Sequence, residues 1–236
     1  MDQRPDLEIL EKAELFRGTP AAVLAEIQTL SFRKRLGEGE VLVRQGDPAT
    51  TLHIVASGRL RVTQTTSDGQ QVIIRYLGPG DVAGYAALSG GETHPGTVTA
   101  VDDCLLLGWN AAAMKRIMMA HPIIAMNAVT ILGARYHEIQ MRLRERSTEN
   151  VERRIAHALL RLVRQAGRRV EGGVEIDFPI SRQDIAEMTG TTLHTVSRTL
   201  SAWESRGIVA SGRQRRSHRS CVFKRKLSSG PARDWF

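Results

Sequence analysis

Short alternating runs punctuated by glycine occupy the stretch from Phe32 to Trp109, and longer runs of helical period follow it. Val41 to Val43 leads into the turn Gly46-Asp47-Pro48. Leu52 to Ala56 is apolar apart from His53, and Ser57-Gly58 turns the chain into Arg59 to Thr63, which alternates with period two. Such alternation buries one face of a strand and wets the other. Asp68-Gly69 is a strong hairpin signal, because glycine takes positive φ without strain, and Gln71 to Leu77 follows as the return strand. Gly78-Pro79-Gly80-Asp81 reads as a further turn, with strands at Thr97 to Ala100 and Cys104 to Gly108. Short strands with regular glycine turns predict an antiparallel barrel or roll. Ahead of them, Ala21 to Leu30 predicts a helix with Val23, Leu24, Ile27 and Leu30 on one face.

A second helical pattern starts at His121-Pro122, where the missing proline N–H does no harm, and continues to about Arg146. Ala125, Val129, Leu132, Tyr136, Ile139 and Leu143 are spaced 4, 3, 4, 3, 4, the a/d seam of a heptad repeat. Beyond Arg135 the other faces turn largely charged while the seam stays apolar. This predicts a dimerisation helix that pairs with its own copy. The alternative is a seam packed on the helix's own domain.

Further on, Arg153 to Val163 reads as an amphipathic helix with Ile155, Leu159, Leu162 and Val163 on one side and Gly167 at its end. Val174 to Ile180 reads as a short strand. Ser181-Arg-Gln-Asp184 has the form of a capping box, in which hydroxyl and carboxylate satisfy each other's backbone N–H. Ala186, Gly190 and Val196 then supply a small residue between two close helices, a positive-φ turn and a core position. That spacing predicts a helix-turn-helix, with a plain helical hairpin as the alternative. Its second helix is expected from near Thr192 to about Ser205, with Val196, Leu200 and Trp203 inward. Leu193, His194, Ser197 and Arg198 are the candidate base readers; an arginine matches guanine O6 and N7 with two donors. Ser181, Arg182, Gln183, Thr192 and Thr195 are candidate phosphate contacts near helix N-termini. After Gly207, Ser211-Gly212 reads as the turn of a wing whose Arg213, Arg215 and Arg216 would lie against phosphates.

The charge distribution supports a polyanionic partner. Residues 1–139 hold 13 Lys/Arg and 15 Asp/Glu, whereas residues 140–236 hold 20 and 10. No apolar run approaches the ~18–20 residues of a membrane span. The charged stretch from Met1 to Glu14 lacks the form of a signal peptide, so a cytoplasmic protein without a membrane partner is expected. Cys104 and Cys221 form no CxxC pair or zinc spacing. Cys104 reads as a small core residue and Cys221, among arginines, as a thiol of lowered pKa. No GxSxG, Walker loop, HExxH or paired-carboxylate motif points to an enzyme, and 5% aromatic content offers no RNA-stacking platform.

The segment "VLVRQGDPATTLHIVASGRLRV", followed by "LGPGDVAGYAAL", resembles the effector domain of the CRP/FNR transcription regulators, a cyclic-nucleotide-binding β-roll. Gly46, Gly58, Gly69, Gly80 and Gly84 stand at that family's turn positions. "SRQDIAEMTGTTLHTVSRTLSAWESRGIV" is similar to its helix-turn-helix, and Arg198 matches its base-reading arginine. The family usually has a glutamate where His194 stands, so the resemblance implies a related but altered half-site. It implies an α+β fold: a jelly-roll-like antiparallel β-roll effector domain with N-terminal helices over 1–120, a long dimerisation helix over 121–148, a C-terminal winged helix-turn-helix over 149–227 and a tail over 228–236. The implied partners are double-stranded DNA at a pseudo-palindromic operator, a second copy as homodimer, a small-molecule effector and, for an activator, RNA polymerase.

The resemblance puts the effector pocket at Gly84, Tyr85, Ala86, His94 and Thr97. Cyclic-AMP-binding members carry a glutamate after the glycine and an arginine further along. Here Tyr85 follows Gly84 and "THPGTV" has no arginine, which argues against cyclic AMP. No cysteine precedes Cys104, which argues against the iron–sulfur cluster of the oxygen-sensing branch. "GYAALSGGETHPGTVTA" and "GTTLHTVSRTL" look most like regulators of nitrogen-oxide and denitrification genes. The resemblance implies a third option, haem sensing of nitric oxide or carbon monoxide, with His94 as candidate ligand, beside the plainer reading of His94 as a loop histidine. A constitutive or cyclic-nucleotide-responsive regulator is the alternative.

Overall fold

A computed structural model describes residues 4–88, 90–213 and 219–224. The chain divides into two compact units, Met1–Thr148 and Glu149–Phe236.

The first unit opens with helices α1 (Arg4–Lys12) and α2 (Ala21–Thr29), separated by a 3-10 turn at Glu14–Phe16. Eight strands follow: β1 (Phe32–Leu36), β2 (Val41–Val43), β3 (Thr51–Ser57), β4 (Leu60–Thr65), β5 (Gln71–Leu77), β6 (Val82–Ala83), β7 (Thr97–Ala100) and β8 (Cys104–Asn110). They pair antiparallel in two four-stranded sheets, ordered β1-β8-β3-β6 and β2-β7-β4-β5. This is the roll expected from the alternation.

Both faces of the β3–β8 pair are covered, which is why Leu52 to Val55 reads as nearly continuous apolar sequence. Val55 and Leu106 face a core shared with Leu36, Leu60, Leu77, Val98 and Cys104. Leu52, Ile54, Leu107 and Trp109 join a second core with Phe16, Leu24, Ile27 and Ile124. Trp109 is fully buried; its indole N–H donates to the Ile27 carbonyl at 2.9 Å and its ring meets Phe16 edge-on. Leu30 departs from the expected helical face: it lies past the end of α2 and is 48% exposed. The Cys104 thiol is buried, and burial, then the Asp102 charge, pushes its pKa up to about 11. The side chain of Cys221 lies outside the described residues.

Helix α3 (Ala111–Ala120) is capped by Asn110, whose side chain accepts from the Ala113 N–H at 2.7 Å. The long helix α4 (Pro122–Thr148) follows. Its Ile124, Ala128 and Ile131 are buried in the second core. The predicted seam lies on another face: Val129, Tyr136, Ile139 and Leu143 are 60–66% exposed, Leu132 is 39% exposed and Ala125 is half-buried. Packing on its own domain therefore uses different residues, and that alternative for the seam is overturned. Among the described residues no single helix is long and apolar enough to cross a membrane.

The second unit comprises α5 (Val151–Ala166), β9 (Gly167–Val170), β10 (Gly173–Ile176), α6 (Arg182–Thr189), α7 (Leu193–Ser205), β11 (Val209–Arg213) and β12 (Arg219–Lys224). Its strands form one antiparallel sheet ordered β11-β12-β10-β9. Ser211 and Gly212 do not form the wing turn; they lie within β11, opposite Cys221 and Ser220. The connection between β11 and β12 spans 214–218, which with Arg215, Arg216 and the tail lies outside the described residues. The strand expected to reach Ile180 stops at Ile176, and Phe178 and Ile180 are buried beyond its end.

Candidate nucleic-acid interface and effector site

Two reciprocal hydrogen bonds start α6. The Asp184 N–H donates to Ser181 Oγ at 3.0 Å, and the Ser181 N–H donates to Asp184 Oδ2 at 2.7 Å. The Ser181 hydroxyl also donates to Asp184 Oδ2 at 2.8 Å, so the cap uses both its donor and its acceptor. The Gln183 amide donates to Glu187 at 3.0 Å, and Arg182 pairs with Glu204 of α7 at 3.5 Å. Ser181, Arg182 and Gln183, three of the side chains expected at phosphates, thus have partners within the protein.

Gly190 ends α6 at φ 62°, in the left-handed region where a Cβ is disfavoured. Ala186, 2% exposed, sits at the close approach of the two helices, and Val196 is fully buried. Thr192 caps α7: its hydroxyl accepts from the Thr195 N–H at 3.2 Å and shares a 2.9 Å hydrogen bond with the Thr195 hydroxyl. Leu200 and Trp203 are buried beneath α7, and the Trp203 indole N–H donates to Glu152 of α5 at 2.8 Å. These contacts fix the helix's rotation about its axis. The opposite face carries Leu193, 47% exposed, with His194 and Arg198 exposed and Ser197 half-buried. His194, Ser197 and Arg198 fall at i, i+3 and i+4 and so share one face. Among the described residues neither His194 nor Arg198 makes a hydrogen bond or ion pair, so all five guanidinium donors remain available. The side chain of Arg213 lies outside the described residues.

In the roll, Gly84 has φ 91°, and a Cβ there would stand 2.5 Å from the Thr51 carbonyl oxygen. This left-handed turn is followed by Tyr85, which lines a small cavity with Glu14, Arg75, Gly80, Asp81, Val82, Ile131 and Arg135. The Tyr85 hydroxyl is buried without a hydrogen-bond partner, and burial raises its pKa. Arg75 and Arg135 both reach Asp81 Oδ1 at 3.4 Å, while Asp81 Oδ2 accepts from the Gly78 N–H at 2.9 Å.

The five expected pocket residues do not surround this cavity together: Ala86, His94 and Thr97 are absent from its lining. Thr97 Oγ1 accepts from the Gln45 N–H at 3.0 Å. His94 is 4% exposed, its backbone pairs with Gly46 and Asp47, and its Nε2 is buried without a hydrogen-bond partner. Burial lowers its pKa. An imidazole so enclosed cannot present Nε2 to a macrocycle unless its loop opens, so the residues as placed do not fit haem. Arg75 and Arg135 escaped the sequence reading because 59 residues separate them and neither belongs to the glycine-rich pocket segment.

Similarity to known proteins agrees with both units. The cyclic nucleotide-binding domain profile matches residues 33–121, and the Crp-like helix-turn-helix domain profile matches 153–219. The cyclic AMP receptor protein of Thermus thermophilus is 32% identical over 182 residues, covering 77% of this chain and 81% of that one. The chain belongs to the CRP/FNR family of transcription regulators. This CRP/FNR regulator is also 28% identical over 198 residues to the nitrogen fixation regulation protein FixK of Azorhizobium caulinodans, covering 84% of this chain and 77% of that one. The structure of FixK2 from Bradyrhizobium japonicum shares its fold, with TM-score 0.70 at 24% identity over 83% of this chain and 93% of that one. CRP-family regulators bind DNA and act as dimers, so this CRP/FNR chain carries a DNA-binding helix-turn-helix and an effector-binding domain.

Proposed function

We propose that this chain is a homodimeric regulator that reads a pseudo-palindromic duplex through α7 and responds to a small-molecule signal in the roll. The observation that carries the reading is the outward face of α7, where Arg198 and His194 stand exposed without partners while Val196, Leu200 and Trp203 hold the helix in place. Arg198 donates to guanine O6 and N7, His194 and Ser197 meet neighbouring base edges, and Leu193 contacts apolar atoms such as a thymine methyl. With Ser181, Arg182 and Gln183 engaged elsewhere, phosphate contacts at α6 fall to backbone N–H groups. The Thr192–Thr195 hydroxyl pair spends one hydrogen internally and keeps one to donate. Arg213, Arg215 and Arg216 add sequence-independent attraction.

The exposed seam on α4 supports a parallel pairing of two copies, which sets half-sites about one helical turn apart. The signal acts as a population shift, effective only as far as it binds the two arrangements of the dimer differently. Likeness to FixK, a nitrogen fixation regulation protein, supports a signal linked to nitrogen metabolism. Fluorescence anisotropy with a selected palindromic duplex and a hairpin RNA tests the reading. The duplex binds specifically with steep salt dependence and the RNA does not; equal affinity for both contradicts the proposal.

A further inference from the structure

We propose that Leu193 makes operator affinity depend on the C5 methyl group of one pyrimidine in each half-site, so that this regulator distinguishes 5-methylcytosine from cytosine in its duplex. The inference rests on the proposed reading of the duplex by α7. Of the large apolar side chains exposed among the described residues, Leu193 alone belongs to the second unit; the others all lie in the first. Thr192 caps α7, so Leu193 is its first helical residue, and recognition helices present their N-terminal residues to base edges. Val196 and Leu200, three and seven residues further on, are buried. Leu193 therefore stands at the rim of the helix's buried row, half packed and half in water. His194 and Arg198, exposed and without partners, flank it on the polar side.

The chemistry of the major groove says what such a side chain recognises. A leucine neither donates nor accepts, so against a polar base edge it strips water and gives no partner back. The C5 methyl of thymine is the apolar group that a base pair displays in the major groove. Methylation of cytosine puts the same group on the same ring carbon. The two bases then differ at C4, where thymine has a carbonyl oxygen and cytosine an amino group. Ser197 is four residues from Leu193 and so lies beside it on the helix. Its hydroxyl can accept from the amine or donate to the carbonyl. The Leu193–Ser197 pair thus tolerates either base and discriminates by the methyl. Leu193 and Arg198 are separated by about 7.5 Å along the helix axis, or about two base-pair steps. The methyl-sensitive pyrimidine therefore lies about two base pairs from the guanine that Arg198 reads.

The test uses the full-length protein and a palindromic duplex obtained by site selection. Every pyrimidine of either strand of the half-site is replaced in turn, thymine by deoxyuridine and cytosine by 5-methylcytosine, in both half-sites together. Each exchange removes or adds one methyl group and leaves the hydrogen-bonding edge unchanged. Competition fluorescence anisotropy reads the affinity. Burying one methyl group corresponds to about fourfold per half-site, or about fifteenfold for both. At one position, about two base pairs from the guanine, the methylated base binds better by that factor. In Leu193→Ala the difference disappears, while the guanine preference and the Tm stay as in the wild type. Leu193→Gln, also a good helix former, gives the same loss and carries the test if the alanine variant fails to fold. A methyl effect on duplex stiffness alone would persist in both variants, so persistence overturns the assignment. Equal affinity for methylated and unmethylated duplexes at every position, with the guanine preference intact, also overturns it and leaves the proposed function standing. Duplex binding without any sequence preference overturns both.

Discussion

Replacing Ile139 by alanine probes the exposed seam of α4 most cleanly. In the single chain Ile139 is 60% exposed, so most of its side chain is still in water. Fully burying an isoleucine is worth about 1.5–3 kcal/mol, which leaves about 1–2 kcal/mol to be gained per copy on pairing. A two-fold interface counts the change twice, giving about 2–4 kcal/mol and a dimer dissociation constant raised about 30- to 1000-fold. Sedimentation equilibrium of both proteins over a range of concentrations measures it. Met141→Ala is the control: Met141 is 48% exposed and lies on the opposite side of the same helix, so its loss leaves association unchanged. The seam assignment is refuted if Ile139→Ala associates like the wild type, or if Met141→Ala weakens association as much.

Other substitutions test separate links. Arg198→Ala costs about 1–3 kcal/mol of specific DNA binding in a competition assay, while dimerisation and non-specific binding stay nearly constant. Thr192→Ala removes the cap of α7 and lowers the stability of the second unit by about 1 kcal/mol in urea unfolding. Leu132→Asp puts a carboxylate in the seam; a variant that remained dimeric would contradict the pairing. Burial, then Lys34 and His94, lowers the His53 pKa from 6.5 to about 4, so as pH falls the unfolded chain takes up the proton first. The His53 contribution is fully present above pH 6.5, declines between 6.5 and 4, and amounts to about 3 kcal/mol lost below that. His94 shifts in the same direction. Urea midpoints at pH 7.5 and 5 measure the slope, which His53→Leu flattens; equal midpoints at both pH values in the wild type argue against the buried neutral imidazole.

Where the chemistry is local, the chain could be read directly. The Ser181–Asp184 cap, the small Ala186, the left-handed Gly190 and the buried Val196 lie within sixteen residues, and each does in the structure what its side chain suggests. The turn glycines likewise announce the strands between them. Elements made by distant pairing were not legible. The five-residue β1 is mostly charged, and only its antiparallel partner β8 makes it a strand. The two-residue β6 carries too little pattern to detect and exists through its pairing with β3. Ser211-Gly212 looked like a turn because its residues favour turns, yet pairing with β12 keeps it extended. The effector region follows the same rule. Tyr85 was visible beside Gly84, but its charged neighbours come from β5 and α4, and only the packed fold brings them to it.

Selection of binding sites from random duplex DNA, run in parallel for the wild type and Arg198→Ala, tests the central claim most directly. The account predicts an enriched pseudo-palindrome with half-site centres about 10–10.5 base pairs apart or a multiple of that, and a guanine in each half-site whose preference relaxes in Arg198→Ala. A single unrepeated site, or the same guanine preference in both proteins, would contradict it.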